Sequence, residues 1–141
     1  MSRAINMVLA AALSIAMPAF GQGTAPMTPD QAIAAASAAN SHEVSGVFEF
    51  TVGSTGASGF NAYLNSAADY HDAANLSAEL HADVVNKLHA KLGGFPQDLL
   101  KGKRVRIKGV ARRVPITKRD GTQYFQTRID VDTIDQIEVL G

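Results

Sequence analysis

Between Lys101 and Arg119 the chain carries nine of its thirteen Lys and Arg residues, and no Asp or Glu interrupts them. Within that stretch Arg104, Arg106 and Lys108 alternate with Val105 and Ile107, which on a strand sends the cations to one face and the aliphatics to the other. Arg112 and Arg113 follow, and Tyr124 and Phe125 stand just beyond the next turn. A cationic row beside an aromatic surface has the chemistry to track phosphates or other polyanions. Arg104, Arg106, Lys108, Arg112, Arg113 and Tyr124 are therefore the expected ligand-binding set. Only one of Tyr124 and Phe125 can be the stacking platform, because adjacent strand residues point to opposite sides.

A second reading competes with that one. Asp120, Asp130, Asp132, Asp135 and Glu138 follow the bases, and in an antiparallel barrel they can pair with them across strands. Exposed pairs of this kind contribute about a few tenths of a kcal/mol each. The formal net charge is zero, so no overall positive potential draws a polyanion to the protein.

Other chemistries have weaker signals. Arg128, Asp130, Asp132, Thr133 and Asp135 faintly resemble the arginine and acidic residues of calcium-dependent nucleases built on a barrel. Phosphodiester hydrolysis needs carboxylates converging on a metal beside phosphate-neutralising arginines, and no matching Glu and second Arg stand in the early strands. His81 and His89, eight residues apart on a helix, are separated by about two turns and cannot share one ion. His71 beside Asp69 and Asp72 lacks metal-ligand spacing, and all three histidines read as surface side chains. There is no Cys, no Gly-x-Ser-x-Gly and no glycine loop opening a helix. The expectation is a protein with no catalytic residues, no metal ligands and no cofactor.

The elements that must position these residues follow from periodicity. Arg3, an apolar run from Met7 to Met17, and small residues at Ala19 and Gly21 have the three parts of a cleaved export signal. The apolar run is far short of the roughly 20 residues a bilayer requires. Residues 1–21 are thus expected to be a signal peptide, and the mature protein periplasmic or secreted with no membrane span. Without Cys it has no lipid-acylation site and no disulfide. Residues 22–40 read as a linker followed by a short helix with Thr28 as N-cap, Pro29 at its first position and Ile33 as its one sizeable apolar side chain. Such a helix would lie loosely on the domain.

Residues 41–141 read as one domain. Val44–Val52 alternates as a strand, Gly53–Gly59 reads as a flexible turn, and Asn61–Ser66 and Asn75–Leu80 read as short strands, with a helix starting at Asn75 the competing reading of the last. Val84, Val85, Leu88 and Leu92 recur at helical spacing, stopped by Gly93-Gly94 and Pro96. Pro96–Lys101 reads as a loop. In the long strand that begins near Lys101, Gly109 interrupts the alternation, which a glycine bulge at a barrel corner would explain. Asp120-Gly121 marks a hairpin, Tyr124–Val131 returns, and Ile134–Leu140 closes the set. The predicted fold is mainly β: a five-stranded OB-like Greek-key barrel with one helix inserted after the third strand.

Met27-Thr-Pro-Asp-Gln-Ala32, Val47-Phe-Glu-Phe-Thr-Val52, Tyr63-Leu-Asn-Ser66, Asp69-Tyr70, Asn75-Leu76, Gly102-Lys103 and Asp135-Gln-Ile137 together resemble a group of small exported bacterial proteins with a single OB-like domain, mostly without assigned activity. That resemblance implies a non-enzymatic binding domain. The partner classes that fit are an anionic polymer, an oligosaccharide or another protein. Nucleic acid, the usual ligand of such barrels, is disfavoured for a protein that leaves the cytoplasm. The alternative is a structural or protein-interaction domain of the cell envelope, with the calcium-dependent nuclease a minor third reading.

Overall fold

A computed structural model describes residues 25–141; the expected leader at 1–21 lies outside the described residues. The first element is helix α1, Pro29–Ala38. Thr28 caps it: its hydroxyl accepts from the Gln31 amide, and the Gln31 side chain accepts from the Thr28 amide. This reciprocal pair satisfies two donors that a helix start leaves free. The helix does not lie loosely. Its packed side is made by Ala32 and Ala36, both fully buried, while Ile33 is half-buried. Alanine has so little bulk that the helix backbone settles close against the strands, a fit that a larger side chain would prevent.

Strands β1 (Glu43–Thr51), β2 (Ser54–Ser58), β3 (Asn61–Asn65) and β4 (Leu76–Leu80) precede two helices, α2 (Ala82–Leu92) and α3 (Pro96–Leu99). Strands β5 (Arg104–Thr117) and β6 (Gln123–Val131), a 3-10 turn at Ile134–Gln136 and strand β7 (Ile137–Val139) complete the chain. The seven strands form one sheet in the order β1-β5-β6-β4-β3-β2, with β7 on β5. All neighbours are antiparallel except β4 and β6.

The count is seven, where five were expected, because the segment after the first strand is itself a strand, β2, and the short β7 adds another. Residues up to Thr51 pair with β5; the Val52 amide still donates to Lys103, and the next amide, Gly53, donates to Asn65 in β3. The two ends of the sheet order are thus consecutive in the chain. Gly53 sits at the change of partner, where a Cβ would lie 2.7 Å from the Ser66 carbonyl oxygen. The expected flexible turn at Gly53–Gly59 is in fact strand β2. Its small residues have little strand preference of their own, and pairing with β3 imposes the conformation. Likewise Pro96–Lys101 opens with the short helix α3, which Pro96 favours by its fixed φ at a first helical position.

Gly109 is not a bulge. The register of β5 against β1 runs unbroken from Arg104 to Arg112, and Gly109 faces Gly46 within it. The inward parity of Val105 and Ile107 continues through Gly109 to the buried Ala111. The glycine is there because β5 and β6 separate at this point, and Gln136 fills the gap. Its amide donates to the carbonyls of both Lys108 and Asp130. A Cβ on Gly109 would come within 3.0 Å of that amide nitrogen and 3.3 Å of the Ile129 side chain.

The core lies on one face of the sheet, where Phe48, Leu64, Leu76, Leu80, Ile107 and Ile129 are fully buried. Helix α2 adds Val84, Val85 and Leu88 and ends at Gly93, whose φ of 81° is the left-handed cap that glycine adopts without strain.

Candidate functional site

The even-numbered residues of β5 point outward, so Arg104, Arg106 and Lys108 share one face, as expected, and Arg112, beyond the expected bulge, joins them because the alternation is unbroken. Most of that charge is already matched. Glu49, directly opposite Arg106 on β1, accepts from Arg104 at 2.9 Å and from Arg106 at 3.1 Å. Arg106 also lies 3.6 Å from Glu138. Arg112 bonds Glu43 and Asp130, each at 3.1 Å. The arginine hydrogen bonds, Arg104 first and then Arg106, hold the Glu49 carboxyl below its ordinary pKa. The Glu43 hydrogen bond, partly opposed by desolvation, raises that of Arg112. Lys108 alone of these four has no carboxylate partner among the described residues.

The other two expected residues lie apart from this row. Arg113 has the opposite parity, and its guanidinium sits 3.5 Å above the ring of Phe125. Tyr124 pairs with Ile116, twelve residues along β5 from Arg104, or about 40 Å of extended chain, though only four from Arg112. The structure therefore separates Tyr124 from Arg104 and Arg106. Of the two aromatics, Tyr124 faces a cleft and Phe125 turns away beneath Arg113.

That cleft has a volume of about 410 Å³ and lies on the outer face of β3, β4 and β6 beside the β5–β6 hairpin. The sheet order that sets β4 between β3 and β6 brings together residues far apart in sequence. All three tyrosines of the chain, Tyr63, Tyr70 and Tyr124, line it. Its floor is polar and buried: Ser77 is 0% exposed, Asn65 4% and Gln126 8%. Such groups need hydrogen-bond partners. Ser77 donates to the Asn65 carbonyl oxygen at 2.8 Å. Arg128 donates twice to the Gln126 side-chain oxygen, at 2.8 and 3.2 Å, and reaches Glu79 at 3.4 Å. Glu79 in turn accepts from Asn61 at 2.8 Å. Burial, and after it the Glu79 carboxylate, push the pKa of the Tyr63 hydroxyl up, so it stays a donor.

The two floor amides are each half used. Their oxygens are taken, while among the described residues neither the Asn65 Nδ2 nor the Gln126 Nε2 has a partner. Neither nitrogen is sealed from solvent, so both can donate to whatever enters. At the mouth, the His71 ring packs at a tilt against both Tyr70 and Tyr124, its centre 4.0 and 5.6 Å from theirs.

No family model matches this chain, and no curated protein matches it. The residues themselves carry the functional reading.

The remaining candidates have structural partners. Asp130 and Asp132 bracket the His81 ring at 3.5 and 3.1 Å, His71 bonds Asp69 at 3.1 Å, and His89 stacks on Phe95. Among the described residues no three His, Cys, Asp or Glu side chains are grouped to hold a metal ion, and no helix is long and apolar enough to cross a membrane.

Sequence reasoning assigned no site role to Tyr63, Tyr70, Asn65 or Gln126, and placed Arg128 only in the nuclease-like set. A signal was present, because Tyr63 and Asn65 share one strand parity, Ser77 and Glu79 another, and Gln126 and Arg128 a third. Which of those strands are neighbours is a tertiary fact.

Proposed function

We propose that the mature chain is an exported, non-enzymatic binding module of the OB type, and that its ligand enters the tyrosine-lined cleft. The basic strand then supports solubility and strand pairing. Support for the barrel comes from the sheet order itself. Its first and last strands are joined through Val52 and Gly53, β4 and β6 are parallel, and helix α2 follows β4 as the barrel plug should. Support for export remains the three-part pattern at residues 1–21.

One observation carries the choice of site: every tyrosine of the chain converges on one polar-floored cleft, whereas Arg104, Arg106 and Arg112 are engaged by carboxylates. Aromatic walls with a few oriented polar groups are what small-molecule and oligomer sites present. The test is a nitrogen-15 correlation titration of residues 22–141 with a sulfated tetrasaccharide, an uncharged tetrasaccharide and oligothymidylate. Shifts confined to β3, β4, β6 and the β5–β6 hairpin are expected. Shifts centred on Arg104, Arg106 and Lys108 would return the site to the basic strand.

A further inference from the structure

The charge balance of the cleft decides what kind of ligand it can hold. Arg128 is the one cation among its lining residues, and it is already met by the Glu79 carboxylate at 3.4 Å and by two bonds to Gln126. Glu79 is only 14% exposed, so its charge is poorly screened and opposes any anion placed near Arg128. A phosphate or sulfate would have to break that pair or sit beside an acid. At the mouth, Lys118 lies 5.6 Å from the Tyr124 ring, outside the cleft lining, while the nearby Asp69 carboxylate is held by His71. Among the described lining residues no uncompensated positive charge faces the cleft.

What it does offer is three phenol rings, two free amide donors and an apolar wall at Ile116. Flat rings take the C–H face of a pyranose, and amides take its hydroxyls as acceptors. We infer that the cleft selects an uncharged oligosaccharide over any polyanion. This rests on the reading of the cleft as the ligand site.

The chain has three Tyr and no Trp, so its intrinsic emission reports on this cleft. The mature protein is titrated with maltotetraose, cellotetraose and the tetramer of N-acetylglucosamine, and separately with a sulfated tetrasaccharide and oligothymidylate, followed by tyrosine emission and calorimetry at low and high salt. At least one uncharged sugar is expected to change the emission with an affinity that salt leaves unaltered, since no counterions are released. Tyr124→Ala and Tyr70→Ala, both away from the core, should each weaken it by about tenfold, equivalent to about 1.4 kcal/mol, with thermal unfolding unchanged. Glu79→Gln frees the Arg128 charge and should raise affinity for the sulfated sugar by about fivefold or more, in a salt-dependent way.

The outcomes separate the two claims. Anionic probes that change tyrosine emission while no uncharged sugar does would overturn the ligand class and leave the cleft as the site. A probe that binds by calorimetry with no change in emission, and no loss in Tyr124→Ala, would overturn the cleft itself. No binding by any of the uncharged sugars at millimolar concentration overturns the inference.

Discussion

Glu49 shows how a single side chain decides between two uses of the same charges. It draws Arg104 and Arg106 onto one carboxylate, and its pKa falls below the ordinary value of 4.5. A carboxyl depressed in the folded state stabilises fully above its unfolded pKa, and that contribution disappears as pH falls through the folded value. Glu49→Gln should therefore lower the melting temperature at neutral pH and have a vanishing effect in strong acid. Melting curves of the two proteins across the acid range check this, and parallel curves would mean the pairs contribute nothing. Gly109 makes a steric prediction. Gly109→Ala must push the Gln136 amide a few tenths of an ångström from its place between two carbonyls, at a cost of about 1 kcal/mol, measurable by urea unfolding. At Tyr124, sequence could name the residue but not its partners, because the rings of Tyr63 and Tyr70 come from strand β3 and from the loop before β4.

Among the elements, α1 and β2 behave least as composition suggests. An Ala-rich helix with one isoleucine has a weak amphipathic signal, yet its alanines are the most deeply buried part of it. Thr28→Ala removes the cap and should cost about 1 kcal/mol. Ala32→Leu, which adds a larger side chain to a fully buried position, should cost about 1–3 kcal/mol. Unfolding of Ala32→Leu with no loss would show that the helix does lie loosely. Strand β5, in contrast, was legible almost entirely: Val105 and Ile107 face the core and the cations face water. Only its bend was misplaced, because the break in alternation at Gly109 has the same appearance whether a glycine is bulged or is making room for Gln136.

For the molecule as a whole, the N-terminal segment belongs to the folded body. Met27 adds a bridge to the outer edge of β1, where an unpaired strand edge would otherwise be open to other chains, and Ala32 packs into the main core. A chain starting at residue 41 should lose at least about 2 kcal/mol of stability and should self-associate more readily than one starting at residue 22. Denaturation and sedimentation of the two lengths test both statements.

Sequence by itself determined the mainly β class, the positions of β1, β3, β4, β6 and α2 to within a residue or two, the capped helix at Pro29, and the outward face of the basic strand. These are local properties, fixed by alternation, by helical spacing and by the residues that start and stop elements. It also contained both uses of the cations, exposed track or paired face, without a means to choose. That choice depended on register, which sets Glu49 opposite Arg106, and on sheet order, which sets Asn65, Ser77 and Gln126 under three tyrosines drawn from different parts of the chain. Contacts between distant segments follow from how strands are ordered in space, and no window of sequence carries that order.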